Sequence, residues 1–346
     1  MKFLGIILAL SVLVFLHEFG HYIVARAFGM RVRVFSIGFG PVIARWRPKG
    51  SETVFQLAAI PVLAYVQIAG MSPTEPYDPN DRGSYQNASA LGRFFTIAAG
   101  PMANYLAASA IIFLVLLIGG VNRPRIGEVE ANGPAAAVGL RANDVVLRVG
   151  DTVPNDFRDL IAAVQLSQGR PLPVRVRRDG AVVDAQVTAR MDDARHQWRI
   201  GVRASAVEAT ERIPFGLVVR QTLVAPARLT VEQVKAIGRM IRGREKLQVM
   251  GPVGIVYETA RVAEHSLRHA FDAFAIISLA LFFFNLLPVP ALDGGRLVFL
   301  AYEMLLRRKP SPRFEERATT VSMLLLLSLS AVIIVRDIFQ IATRSS

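Results

Sequence analysis

The sequence predicts an integral membrane protein with about four transmembrane helices, a β-rich segment beside the membrane, and an inserted α+β domain. Apolar side chains occupy 52% of the 346 positions. Four long apolar segments are each about long enough to cross a bilayer as a helix, and they are 3–28, 92–120, 270–290 and 319–341. Short strand-type and helix-type patterns separated by turns fill the region between the second and third segments. These observations together favour the membrane class.

The first apolar segment resembles a signal peptide, because Lys2 precedes it and Ala25-Arg26-Ala27 resembles a cleavage site. Its apolar stretch is longer than the core of a signal peptide, and it carries histidine and glutamate in its second half. We therefore predict a retained transmembrane helix. The chain contains no cysteine, which excludes disulfides and thiolate metal ligands.

Basic residues predict the topology. The net charge is +13, and many of the arginines and lysines lie in two short connections, 26–49 and 296–317. Short basic loops mark the cytoplasmic side of a membrane. We therefore expect segments 29–91 and 291–318 inside and segment 121–269 outside, with both termini outside. No nucleic-acid-binding signature accompanies the charge, so we expect no nucleic-acid partner.

Residues 31–68, between the first two spans, predict β-structure. Short β-type runs at 32–37, 53–57 and 65–68 are separated by glycine and proline. A small sheet on the cytoplasmic side could hold an extended substrate by strand addition. The alternative is a structural hairpin that only packs against the membrane.

The inserted region 121–212 contains a strand, a short helix, a turn, a second strand, a longer helix at 157–168 and two strands paired across Asp179-Gly180. This series resembles a PDZ domain of the circularly arranged bacterial type. The resemblance implies a peptide or protein tail as ligand, bound at Ile126, Gly127, Glu128 and Val129; a spacer or size filter is the alternative. Asn143 replaces the usual glycine, but asparagine tolerates a left-handed backbone. Segment 213–269 is predicted as an amphipathic linker between the membrane parts 1–120 and 270–346.

The most informative motif is His17-Glu18-Phe19-Gly20-His21, inside the first span. Two histidines four residues apart share one helix face and can bind one zinc ion, and Glu18 can serve as general base beside them. Ionisable groups inside a span are costly, so they indicate function. Asp293, after the third span, can supply a carboxylate as the third ligand. A chance match and two structural core histidines are the alternatives.

Four features together resemble the site-2 protease family, and within it the bacterial regulator-of-sigma-E branch with a single PDZ domain. They are the HExxH motif, Gly100-Pro-Met-Ala-Asn104, the PDZ insertion, and the run from Asn285 through Pro288 and Pro290 to Asp293-Gly294. The resemblance implies an intramembrane zinc metalloendopeptidase in the bacterial inner membrane, with its active site near the cytoplasmic side. It implies Zn2+ bound by His17, His21 and Asp293, with Glu18 as catalytic base. Substrate contacts are implied at Asn104, Asn285, Pro288 and Pro290.

The implied substrates are single-span membrane proteins, such as anti-sigma factors or remnant signal peptides, cleaved in regulated intramembrane proteolysis. Two other classes of function remain open. One is a membrane-bound PDZ scaffold that does no chemistry, and the intact HExxH motif with Asp293 argues against it. The other is a metal transporter, which four spans and the lack of a second polar set within them disfavour.

Overall fold

The computed structural model describes residues 2–72, 74–76, 78–154, 156–193, 196–205, 209–243 and 251–344. The chain forms two compact units. The first combines residues 1–113 with 220–346, and the second comprises residues 114–219.

The helices, in chain order, are α1 (Lys2–Ala27), α2 (Ala90–Gly119), α3 (Pro134–Ala137), α4 (Phe157–Ser167), α5 (Phe215–Ile241), α6 (Pro252–His265), α7 (Leu267–Asn285), α8 (Asp293–Leu306) and α9 (Pro312–Arg344). The strands are β1 (Val32–Trp46), β2 (Val54–Ile68), β3 (Val121–Arg123), β4 (Ile126–Val129), β5 (Val145–Val149), β6 (Pro171–Arg178), β7 (Ala181–Thr188), β8 (Arg190–Asp192), β9 (Gln197–Arg199), β10 (Val202–Ala204) and β11 (Ala209–Glu211).

Four helices in the described part of the chain are long and apolar enough to cross a membrane. They are α1, α2, α7 and α9, which confirms the predicted number of spans. α9 begins seven residues before the predicted span, at a serine-proline pair whose proline suits the first turn of a helix. Its charged first turns therefore precede the apolar stretch.

The linker 213–269 is more than one amphipathic helix. It contains α5 and then α6, and α6 packs into the core of the first unit. Ala260 of α6 lies in one apolar cluster with residues of α1 and α7, namely Ile6, Leu13, Ala270 and Phe274. The buried Asp337 carboxylate of α9 accepts a hydrogen bond from the Gly254 backbone N–H at 2.8 Å, in the first turn of α6. Such bonding satisfies a backbone donor that the helix leaves free.

β1 and β2 pair in an antiparallel sheet whose register is not that of a simple hairpin. Ser36 lies opposite both Tyr65 and Gln56, so the first half of β1 lies between two parts of β2. The strands bend sharply, and Gly38 and Gly40 have φ values of 89° and 92° in β1, a conformation that glycine adopts readily. Two of the predicted short runs thus belong to one bent strand, with 64–68 along one edge of the sheet.

The second unit is an α+β domain. β5, β6 and β7 form a three-stranded sheet, and β4 pairs with β10. α4 begins at Asp156, whose carboxylate accepts hydrogen bonds from two backbone N–H groups of the first turn, as an N-cap does. Side chains of α4 and the strands share one buried core that includes Leu160, Val164, Val146 and Val176. The helix at 157–167 and the strand pair across Asp179-Gly180 are confirmed.

Candidate metal centre

The α1 helix brings His17 and His21 together. One helical turn separates them, and their ring centroids are 4.9 Å apart. The two Nε2 atoms are 3.3 Å apart, and the residues are only 8% and 5% exposed. Both imidazoles therefore direct the same nitrogen to one point inside the first unit.

Asp293 reaches the same point from the other end of the chain. Its Oδ2 lies 3.1 Å from Nε2 of His17 and 3.3 Å from Nε2 of His21. Burial alone would raise the pKa of Asp293, but its close contacts with both histidines outweigh burial and lower it. The carboxylate is therefore held in its ionised form, which is the form that binds cations.

The loop between α7 and α8 explains the glycines that follow Asp293. A Cβ on Gly294 would lie 2.2 Å from the Leu287 carbonyl oxygen, and one on Gly295 would lie 2.3 Å from that of Val289. Both glycines lie in the first turn of α8, where the missing side chains let the preceding loop pack against the helix.

The donor set fits zinc. Two imidazole nitrogens and one carboxylate oxygen lie within 4.8 Å of one another, and no other group of three potential ligands is found among the described residues. Three protein ligands with one open position are typical of catalytic zinc sites. Gly100 of α2 leaves the necessary space, because a Cβ there would lie 2.2 Å from Nε2 of His21.

Glu18 lies beside this cluster and is half-buried. The backbone of Val66, in the part of β2 at the edge of its sheet, lies close to the Glu18 carboxylate. The acid therefore lies between the donor cluster and this strand. A carboxylate in this position can accept a proton from a neighbouring group.

The α2 helix holds the other nitrogen of each histidine. Nδ1 of His21 lies 2.7 Å from the Thr96 carbonyl oxygen, and Nδ1 of His17 lies 3.1 Å from the Asn104 side-chain amide. Sequence reasoning missed the Thr96 carbonyl and the space at Gly100. A signal was present, because Thr96, Gly100 and Asn104 follow one another at intervals of four and so share a helix face.

The remaining predicted substrate contacts lie in different surroundings. Asn104 is fully buried against His17. Asn285 donates its side-chain N–H to the Leu281 carbonyl of its own helix at 2.9 Å. Pro288 is exposed and Pro290 is half-buried, both in the loop between α7 and α8. Asn285 and the two prolines are near Asp293 in sequence and are not members of the donor cluster.

The predicted peptide loop of the α+β domain needs a correction at Ile126. That residue is 1% exposed. Its N–H donates to the Asp144 carbonyl and its C=O accepts from the Asn143 N–H, while β10 pairs with β4 on the other side. Ile126 is therefore internal to the sheet, and it has no free backbone group for a peptide. Gly127, Glu128 and Val129 also belong to the strand that pairs with β10.

Known proteins resemble nearly the whole chain. Two relatives carry the name "putative zinc metalloprotease": one from Campylobacter jejuni is 30% identical, with 98% of this chain and 94% of the relative covered. The other, from Nostoc, is 31% identical over 99% and 98%. Metalloprotease MmpA of Caulobacter vibrioides is 31% identical over 93% of this chain and 92% of that protein.

Among solved structures, a PDZ domain of an SdrC-like protein from Listeria monocytogenes overlaps 24% of this chain and 86% of its own, with 17% identity and a TM-score of 0.22. An overlap this small carries no argument about function. Residues 5–329 match peptidase family M50. With its HExxH helix and its distant aspartate in one cluster, the chain belongs to peptidase family M50, the site-2 protease family.

Proposed function

We propose that this protein is an intramembrane zinc metalloprotease that cleaves transmembrane segments of single-span membrane proteins, of the anti-sigma-factor or remnant-signal-peptide type. One observation carries the proposal. His17, His21 and Asp293 present three donor atoms to one point, with Glu18 beside them. The two histidines and Glu18 lie on α1, a helix apolar enough to cross a membrane, and Asp293 begins α8. The printed names of the relatives, "putative zinc metalloprotease" and "metalloprotease", support the same chemistry.

The residues divide the work of peptide hydrolysis. When bound, zinc would supply a Lewis acid for the scissile carbonyl and for a water nucleophile near neutral pH. His17, His21 and Asp293 would hold the ion with neutral imidazoles and one anionic oxygen. Glu18 takes the proton from the attacking water and returns it to the leaving amine.

The β-rich segment would hold the substrate in an extended form. Amides inside a helix are hydrogen-bonded and covered, so a transmembrane substrate has to unwind before cleavage. Residues 64–68 of β2 lie at the edge of their sheet, and the Val66 backbone there lies close to the Glu18 carboxylate. A cavity of about 350 Å³ is lined by Val66, Gln67 and Ile68, and also by Arg296 and Thr319. Strand addition at this edge would bring a peptide bond close to Glu18.

The exposed Pro288, with Asn285 and Pro290, remains our proposal for further substrate contacts, because this loop leads directly to Asp293. We place the protein in the bacterial inner membrane, with the metal centre near the cytoplasmic side and the α+β domain outside, on the distribution of basic residues. That domain would choose substrates, either by binding a peptide tail as a PDZ domain or by excluding large ones.

The test is co-expression with a panel of tagged single-span proteins, comparing the wild type with Glu18→Gln. Glutamine keeps the size of the side chain and cannot take a proton. We expect cleavage to fall by roughly 100-fold or more, as loss of a general base does, while zinc content is unchanged. Glu232→Gln, on an exposed part of α5, is the matched control and should cut normally. Near-normal cleavage by Glu18→Gln would refute the assignment of the base.

The same panel separates the other classes of function. A silent scaffold would leave every substrate intact in the wild type. A transporter would move zinc into vesicles, and Glu18→Gln would have to stop that movement. Neither result is expected.

A further inference from the structure

The two histidines of the metal centre differ in the partner of their Nδ1 atoms. His21 faces the Thr96 carbonyl oxygen, which can only accept a hydrogen bond. His17 faces the side-chain nitrogen of Asn104, which can only donate one. His21 must therefore carry its proton on Nδ1 and His17 must carry it on Nε2, although both rings are candidate ligands of the same metal ion.

The geometry of the Nε2 atoms decides which tautomer the site needs. Both Nε2 atoms lie within 3.3 Å of Asp293 Oδ2 and of each other. A nitrogen that binds a metal ion must present its lone pair, so the proton of each neutral ring has to be on Nδ1. The Thr96 carbonyl fits this requirement. The Asn104 amide nitrogen does not fit this requirement, because its own N–H would then face the Nδ1–H of His17, and two donors cannot hydrogen-bond to each other.

The other end of the Asn104 amide supplies an independent observation. Its Oδ1 is buried and has no hydrogen-bond partner, although the residue is 0% exposed. A buried amide oxygen without a partner costs about 1–3 kcal/mol. The oxygen and nitrogen of an asparagine side chain are assigned from their hydrogen bonds. Turning this amide over pairs Oδ1 with the N–H of His17.

We infer that Asn104 presents its Oδ1 to the Nδ1–H of His17 and, together with the Thr96 carbonyl, fixes both imidazoles in the tautomer that leaves Nε2 for the metal ion. Asn104 is thus a positioning residue for the zinc ligand, in place of the substrate contact that the sequence suggested. Partners of this kind raise the basicity of a histidine ligand and fix the orientation of its ring. The inference rests on the proposed zinc site.

The register of the two helices supports this role. His21 meets Thr96 while His17 meets Asn104, so the later residue on α1 faces the earlier one on α2, as in antiparallel helices. Gly100 lies between the two partners and has no side chain to obstruct the rings. The Asn104 backbone is also anchored, because its carbonyl accepts a hydrogen bond from Ser278 Oγ at 2.8 Å.

Two substitutions of equal size test the inference. Asn104→Asp keeps an oxygen acceptor and removes the amide donor, whereas Asn104→Leu removes both. The full-length protein in detergent is titrated with zinc against a chelator of known affinity at pH 8. We expect Asn104→Leu to lose roughly 10- to 100-fold in zinc affinity and Asn104→Asp to stay within about threefold of the wild type, with its KM for a cleaved substrate unchanged. Ser109→Ala is the control and should match the wild type, because the Ser109 hydroxyl donates a hydrogen bond to the Tyr105 carbonyl of its own helix.

Each other outcome overturns the inference. If the amide nitrogen is the working group, Asn104→Asp will lose as much zinc affinity as Asn104→Leu. If Asn104 contacts substrate, both variants will bind zinc like the wild type and differ from it in KM. If Asn104→Leu does not fold, Asn104→Asp still tests the inference, because this variant keeps its zinc affinity only if residue 104 acts as a hydrogen-bond acceptor. A wild type that cuts and holds zinc while Asn104→Asp loses it refutes this inference alone, and a wild type without zinc refutes the proposed function as well.

Discussion

Gly100→Ala should disable the metal centre with a single methyl group. The new Cβ would lie 2.2 Å from Nε2 of His21 and 2.8 Å from Nε2 of His17, whereas ordinary contacts begin at 3.4 Å. The two ring nitrogens would therefore have to retreat by about 1.2 Å and 0.6 Å, against a tolerance of about 0.2 Å for metal–ligand distances. We expect zinc affinity to fall by at least roughly 100-fold, more than a lost outer partner usually costs.

The assay is zinc per chain after purification, followed by chelator competition and cleavage of a tagged single-span substrate. Gly5→Ala is the matched control, because a Cβ on Gly5 of α1 would meet nothing within 4 Å. Alanine is otherwise favoured over glycine in helices by about 1 kcal/mol, so the methyl group itself does no harm. A folded Gly100→Ala protein that binds zinc with wild-type affinity would refute the geometry of the site.

Three further predictions concern stability and selectivity. Arg93→Met removes the paired hydrogen bonds, 2.8 and 3.0 Å long, that join α2 to Glu303 of α8. The free energy of unfolding should fall by about 3 kcal/mol, because the largely buried Glu303 carboxylate would lose its charged partner. The exposed Arg313→Met is the control, and the argument is contradicted if Arg93→Met lowers thermal stability less than Arg313→Met does. Asn143 has a φ of 70°, so Asn143→Val should destabilise the α+β domain by about 1–2 kcal/mol while Asn143→Gly is nearly neutral; equal denaturation midpoints would contradict this. Deleting 122–205 with a short linker should widen the range of substrates cut and leave cleavage of a short, already trimmed substrate, since the donor cluster lies wholly in the first unit. Loss of all cutting from a folded, zinc-loaded deletion protein would show that the domain does more than select.

Features set by local spacing were predictable from the sequence. A four-residue interval puts His17 and His21 on one helix face wherever that helix lies. The length and apolar character of a segment decide whether it can span a bilayer, which is why the four spans were found. Asn143 was expected to keep its turn through a left-handed backbone, and its φ of 70° confirms this.

Features that depend on distant contacts needed the tertiary structure. The sequence identified Asp293 as a candidate ligand. It could not show that Oδ2 of Asp293 lies 3.1 Å from Nε2 of His17, which is 276 residues away in the chain. It could not show that α6 belongs to an apolar core, or that Ile126 is enclosed by its sheet, because both depend on which surfaces meet. The sequence alone determined which residues could bind a metal ion. Only the packing of α2 against α1 decided how the rings are held, because a hydrogen bond to Thr96 or Asn104 exists only once the two helices are adjacent.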